Sequence, residues 1–312
     1  MVRVEDGPTE AVAVTMDQTR PVVVGADGGG TDTAAVRWAA MHARMTGRPL
    51  LVVHASEPEA LAARAAGAGA PDITILLEAE ETRGEQIRGR VAELAEELGV
   101  EATFVVERGS PVRALLEHEE EASILVVGTG RKGMLEEFVL GTTSIGVAAH
   151  AAIPVVVVNP EVDVDSLTHG RVAVAVDGSD DSVVAARAAV EYASAAGKEL
   201  VALSTWYLEV VDGYVVTEPD SPEWKAIEQD RRAILERALG PALEKHPDVQ
   251  VELRVRRGPV VSAIVDLSRE VDLVIMGSRG MGGVRGRLLG SVSQRVMRSA
   301  ACPVAVITAT RR

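Results

Sequence analysis

Short runs of Val, Ile and Leu recur along the chain, separated by longer segments whose apolar residues fall three and four apart. That alternation predicts parallel strands joined by crossover helices, the pattern of a doubly wound sheet buried on both faces. Five strands are expected near residues 21–26, 50–55, 102–106, 124–127 and 155–158, and five more near 171–176, 200–205, 250–255, 273–276 and 304–307. The helical stripes are clearest at Val91, Leu94, Ala95 and Leu98, and at Ile227, Ile234, Leu235, Ala238 and Leu239. These positions are predicted to face the core.

The two sets of strands belong to two copies of one pattern. PVVVGADGGGTDTAAVRWAA at residue 21 aligns with RVAVAVDGSDDSVVAARAAV at residue 171, and TGRPLLVVHA at 46 with AGKELVALST at 196. Further on, SILVVGTG aligns with DLVIMGSR and HAAIPVVVVNP with SAACPVAVITA. Each copy is long enough for one domain. The expected fold is therefore α/β: two tandem, doubly wound, five-stranded parallel-sheet domains of Rossmann-like type. Residues 1–20 form an N-terminal extension, 21–160 the first domain, 161–170 a polar and acidic linker, and 171–312 the second domain. After its second strand each copy has a variable stretch, the second of them flanked by or containing Tyr207, Tyr214 and Trp224; both are expected as surface excursions. The last strands, Val155 to Val158 and Val304 to Ile307, are expected at sheet edges, where an unpaired apolar strand invites aggregation. Pairing them removes the hazard, either as a pseudo-dimer within the chain or as a dimer of chains.

Composition refines this picture. The residues are 47% apolar but only 3% aromatic, so Ala, Val and Leu must fill the core. The net charge of −14 argues against broad binding to nucleic acid, which rests on Lys and Arg neutralising phosphates. Residues 1–160 carry 13 basic and 24 acidic side chains, residues 161–312 carry 19 and 22, so a local anion site is easier to build in the second half. The single cysteine, Cys302, lies in an apolar run and is expected to be buried and inert. Met1 to Arg20 lack the apolar core of a signal peptide, and no apolar stretch reaches the length of a membrane span. The expected location is the cytoplasm, with no membrane partner.

In an open α/β sheet, ligands bind at the carboxyl ends of the strands where the strand order reverses, here the ends of strands 1 and 4 of each copy. A carboxylate followed by glycine ends strand 1: Asp27 in the first copy, Asp177 in the second. It suits a ribose hydroxyl or an amino group, or else simply caps a helix or shapes a turn. After strand 4 of the second copy come Gly277-Ser278-Arg279-Gly280, nine residues, then Gly290-Ser291-Val292-Ser293. Glycines admit backbone amides to an anion, and the helix N-terminus beginning at Gly290 and Ser291 favours phosphate. Arg279, Arg285 and Arg287 are expected to add positive charge, and Ser291 and Ser293 to offer hydroxyl donors.

This segment resembles the ATP-binding pattern of the universal stress protein family, in its tandem form with two domains per chain, and the likeness spans nearly all of the chain beyond the N-terminal extension. The resemblance implies an adenine nucleotide alpha hydrolase-like fold with ATP bound in the second domain. It assigns Asp177 to the nucleoside, the backbone near Thr205 to the adenine edge, and Gly277, Gly280, Gly290, Ser291 and Ser293 to the phosphates. By the same resemblance Mg²⁺ or Mn²⁺ would bridge the phosphates, although no dedicated metal-ligand cluster can be read. In the first copy Asp27, Gly128, Gly141, Thr142 and Ser144 match the pattern, but Arg131 replaces the second motif glycine. ATP binding there is in doubt.

Two alternatives stay open. A stress protein of this kind can work through protein contacts alone. Gly28-Gly29-Gly30-Thr31-Asp32-Thr33 also partly resembles the phosphate loop of ATP pyrophosphatases, which would move the phosphates to the loop after strand 1. No Walker A lysine motif and no nucleophile with its base is visible, so rapid catalysis is not expected, although slow ATP hydrolysis is compatible with the pattern. The reading is a nucleotide-sensing stress-response regulator with a regulatory protein partner.

Overall fold

The structure, a computed structural model, describes residues 20–30, 33–57, 73–130, 141–207, 210–211, 214–215, 218–281 and 289–309. Most of the N-terminal extension, Arg131 and Lys132, and Arg285 and Arg287 lie outside the described residues. The first half runs β1 (Val22–Gly25), α1 (Thr33–Thr46), β2 (Leu50–Ser56), α2 (Ile73–Leu98), β3 (Ala102–Arg108), α3 (Pro111–Leu116), β4 (Ile124–Gly128), α4 (Thr142–His150) and β5 (Val155–Val158). The second half repeats it as β6 (Arg171–Ala175), α5 (Asp180–Ala196), β7 (Glu199–Trp206), α6 (Pro222–Leu243), β10 (Val251–Arg257), α7 (Val260–Leu267), β11 (Leu273–Gly277), α8 (Ser291–Ser299) and β12 (Val304–Ile307). Between β7 and α6, where only a variable excursion was expected, β8 (Val210–Val211) and β9 (Tyr214–Val215) pair as a short antiparallel ladder.

Local chemistry sets the helix boundaries. Ser179 caps α5 through its side chain, and Gly197 ends the helix in the left-handed conformation. Ser221 caps α6, and Pro222 occupies the first turn, where a missing N–H costs nothing.

The strands of each half are mutually parallel, and the halves join because β12 pairs antiparallel with β5. One sheet of ten strands results, in the order β10-β7-β6-β11-β12-β5-β4-β1-β2-β3. The apolar edges expected at β5 and β12 therefore cover each other within the chain. The outer edges are β3 and β10 instead; β10 carries Glu252, Arg254, Arg256 and Arg257, charges that discourage further strand addition.

Each face of the sheet is one continuous core shared by both halves. Helices α1, α2, α5 and α6 cover one face, and α3, α4, α7 and α8 the other. Val91, Ile227, Leu235, Ala238 and Leu239 are buried as their spacing predicts, and Val, Ala and Leu make up most of the packing. Cys302 is fully buried, and burial pushes its thiol pKa well up, so it is held as an inert thiol. The segment expected as a polar linker is itself packed: Val162 and Val164 are buried, Asp165 pairs with Arg37, and the Asp272 carboxylate accepts the amides of His169 and Gly170.

At the join, Val156 faces Ala305, and these occupy matching positions of the repeat, so a local two-fold axis passes between them. The same symmetry brings α1 against α5. His42 stacks on Tyr192, its counterpart in the repeat, with ring centroids 5.8 Å apart and planes 7° from parallel. Trp38 stacks on the other side of His42 at 5.0 Å. Burial between these rings, with the Arg48 guanidinium adding repulsion, pushes the His42 pKa down from 6.5 to about 4.

The imidazole is thus neutral in the folded protein and takes up a proton first in the unfolded chain. Stability is expected to fall as pH drops from about 6.5 towards 4, by about 3 kcal/mol from this one group. Urea unfolding across that window should show a smaller loss in His42→Phe, which keeps a stacking ring without the titration; equal slopes in the two proteins would refute the assignment.

Candidate functional site

In the second half the strand order reverses between β6 and β11, which have β7 and β12 as their outer neighbours. The chain leaving β6 enters α5 on one face, and the chain leaving β11 leads to α8 on the other, which opens a crevice at the carboxyl ends. A cavity of about 400 Å³ occupies it. Asp177, Thr205, Gly277, Gly280, Gly290, Ser291 and Ser293 all line this one space.

Asp177 joins the two turns. Its Oδ1 accepts the amide and hydroxyl of Ser179 at 2.9 and 2.6 Å, and its Oδ2 accepts the Met281 amide at 3.0 Å. Burial alone would raise its pKa, but the Ser179 and Met281 donors outweigh that and hold the carboxyl below the usual carboxylate range. It is ionised at neutral pH and keeps lone pairs for a ligand hydroxyl or amino group. The contact also explains a glycine: a Cβ on Gly280 would stand 2.6 Å from Asp177 Oδ2. Gly277 is required for a different reason, because its Cβ would meet the α5 backbone at Asp181 and Ser182 within 2.9 Å.

A residue that sequence reasoning passed over organises the loop. Asp181, 4% exposed, accepts Ser278 Oγ at 2.8 Å, the Arg279 amide at 3.1 Å and Ala309 N at 3.2 Å. Its two oxygens also take Nε and Nη2 of Arg279 at 2.9 and 3.1 Å, a forked ion pair. The expectation that Arg279 offers free positive charge is corrected by this pair, since its guanidinium is turned into the fold and neutralised. Nothing in the one-dimensional pattern marked Asp181, which reads as an ordinary first-turn acidic residue of a helix.

The far end of the loop is closed in a similar way. The Gly290 amide donates to Ser278 O at 2.8 Å, and the buried Ser293 hydroxyl is directed at Ser278 O and Gly290 O at 2.9 and 2.8 Å. Ser293 therefore fastens the loop ends with the proton that was expected to serve a phosphate. Ser291 is exposed at the mouth, and Gly290, as N-cap, has no side chain to take up the first-turn amides of α8.

The first half keeps part of this frame. The Gly141 amide donates to Thr129 O at 2.6 Å, the Ser144 hydroxyl to Gly141 O at 2.9 Å, and Thr142 opens α4. Gly128 ends β4. Asp27 is exposed and accepts the Gly29 amide at 2.8 Å. The charged pair is absent there, because Thr31 and Gly130 stand at the positions of Asp181 and Arg279. Leu115 packs against Gly25, with Cδ1 at 3.0 Å from where a Cβ would be, whereas the corresponding Ala175 and Ile264 line the cavity of the second half. In the triglycine turn after β1, Gly28 and Gly30 have positive φ, and a Cβ on Gly28 would meet Arg83 at 2.9 Å; this turn is pressed against α2.

Among the described residues no group of three or more His, Cys, Asp or Glu converges as a metal site. A larger cavity of about 540 Å³ beside β10 contains Arg254 and Arg256, both already paired with carboxylates.

The chain matches the Universal stress protein family twice, over residues 18–159 and 168–308. It is similar to a universal stress protein of Mycolicibacterium smegmatis, 35% identical over 294 residues, covering 92% of this chain and 96% of that protein. A universal stress protein of Mycobacterium tuberculosis strain H37Rv is 32% identical over 293 residues, covering 91% and 96%. Among solved structures, a universal stress protein from Archaeoglobus fulgidus DSM 4304 shares the fold, with a TM-score of 0.67 at 22% identity over 93% of this chain and 97% of that one.

Removing Asp181 strands a half-buried guanidinium and several donors, so Asp181→Ala is expected to cost about 3–5 kcal/mol. Removing both charges should cost less than the two single losses combined, with a coupling of about 1–3 kcal/mol in a double-mutant cycle with Arg279→Ala. Strict additivity in urea unfolding would show that the pair does not act as a unit.

Proposed function

The chain belongs to the universal stress protein family, with two of its domains in tandem, and we propose that the second domain binds ATP and that the protein acts as a nucleotide-sensing stress-response regulator. The observation that carries the reading is the approach of Gly280 to Asp177. A Cβ there would lie 2.6 Å from the carboxylate, so the loop is shaped around a hydrogen-bonding group that faces a cavity. In the proposed pose the base meets the end of β7 at Thr205, and the ribose hydroxyls donate to Asp177. The phosphates follow the loop from Gly277 to the amides of Ser291 and Val292 at the start of α8, where the helix dipole favours negative charge. Mg²⁺ or Mn²⁺ would arrive with the phosphates and keep much of its water.

The first domain is proposed as an interaction module for a regulatory protein, because Arg131 stands at the second glycine position of its motif and the Asp181–Arg279 pair has no counterpart there. Among the described residues no helix is long and apolar enough to cross a membrane, and a cytoplasmic location forms part of the proposal. The bound nucleotide would signal only through unequal affinity for two states of the protein. Slow hydrolysis is compatible with this reading; its primary event is binding.

Thermal unfolding with and without Mg-ATP tests it. A ligand at about 100 times its Kd stabilises the folded state by about 2.7 kcal/mol, which is visible as a higher Tm. Wild type is expected to show the shift and Gly280→Arg to lose it, because the variant drives a side chain into Asp177. No shift in wild type over a wide ATP range would leave a protein that works through contacts alone.

A further inference from the structure

The two outer edges of the sheet are not alike. β10 mixes charge with apolar residues, Val251-Glu252-Leu253-Arg254-Val255-Arg256-Arg257. β3 runs Ala102-Thr103-Phe104-Val105-Val106-Glu107-Arg108, uncharged as far as Val106, which is itself 50% exposed. An extended, uncharged edge is a template for a further strand. We propose that β3 pairs antiparallel with β3 of a second copy of this chain, about a two-fold axis through Val105. The proposal concerns the first domain alone and is independent of the nucleotide reading.

Hydrogen bonds already made fix which backbone groups remain. The Leu50 amide donates to Glu101 O and the Gly109 amide to Ser56 O, so Glu101 and Gly109 turn towards β2. Backbone direction alternates along a strand, so Thr103, Val105 and Glu107 also turn inward, while Ala102, Phe104, Val106 and Arg108 turn out. Among the described residues no strand pairs with that outer side. An axis through Val105, the middle residue, sets outward groups against outward groups: Phe104 opposite Val106 of the other copy, and Ala102 opposite Arg108. Each such pair exchanges two hydrogen bonds, about eight in all.

The side chains suit the same register. Phe104 meets Val106, an aromatic and β-branched pair of the kind that stabilises sheets, and Val105 meets Val105. Glu107 faces Thr103 and Arg108 faces Ala102, so no like charges are opposed. The same operation on β10 sets Arg254 against Arg254, and that guanidinium is already held by Glu252 and Glu270. The chain uses this solution once within itself, where β5 and β12 join antiparallel at matching positions of the repeat. Opposing the second join is the charge of the first half, 13 basic against 24 acidic side chains over residues 1–160, a repulsion that salt screens.

Sedimentation velocity on the full chain over roughly 1–200 µM tests the proposal. Wild type is expected to pass from monomer to dimer as concentration rises, and the dimer to tighten severalfold from low to high salt. Val106→Pro removes an outward amide at an edge where proline is tolerated, and should stay monomeric. Circular dichroism reports whether that variant folds; if it does not, Val105→Cys decides. Across the axis the two Val105 Cα atoms would stand about 4.5 Å apart, within disulfide reach, so mild oxidation of Val105→Cys is expected to link two chains. Thr103→Cys, placed opposite Glu107, should not cross-link, and the buried Cys302 does not compete. A wild type that is monomeric throughout the range would overturn the proposal, as would a dimer that a folded Val106→Pro leaves intact or that Val105→Cys fails to link.

Discussion

The antiparallel ladder between β5 and β12 is the contact on which the molecule's architecture depends. Once Val155–Val157 pair with Val306–Val304, two five-stranded sheets become one, and each face becomes a single apolar layer. Unpaired, these valine strands would be the most hazardous edges of the structure. The ladder also fixes direction. The strands of the two halves run oppositely across the join, so their carboxyl-end crevices open at opposite sides of the molecule and cannot share a ligand.

Within the second half, buried charge holds the start of the loop after β11, from Ser278 to Met281. Asp181 gathers donors from the loop, from its own arginine and from the chain beyond β12, while Asp177 holds the opposite side of the loop through Met281. A fully satisfied polar network of this kind specifies one geometry, because any alternative leaves a buried group without its partner. The first half has the same backbone closure at Thr129 and Gly141 but neither charge of the pair. The two copies have diverged in the groups that would recognise a ligand more than in the frame that would carry them.

This division matches the chemistry of a duplicated domain. Strand pairing, helix packing and loop closure use backbone groups and apolar volume, which tolerate exchange among Val, Ile, Leu and Ala. Recognition uses single side chains in fixed places. Leu115 stands where the second half has Ile264, and Gly25 where it has Ala175, and the apolar layer is intact in both.

The sequence by itself determined the class and order of the elements, because strand and helix periods in Val- and Ala-rich segments are local properties and the repeat displayed each element twice. It also marked Asp177, Gly277 and Gly280, at the ends of the strands that flank the reversal, and Gly290, Ser291 and Ser293, at the start of the following helix, as residues that line one cavity. It left open whether β5 and β12 meet within one chain or between two, a question that only the packing of both halves decides. Ser293 and Arg279 were legible as polar residues near an anion site, but where their donors point depends on Ser278 O and Asp181, distant in sequence and adjacent only after folding.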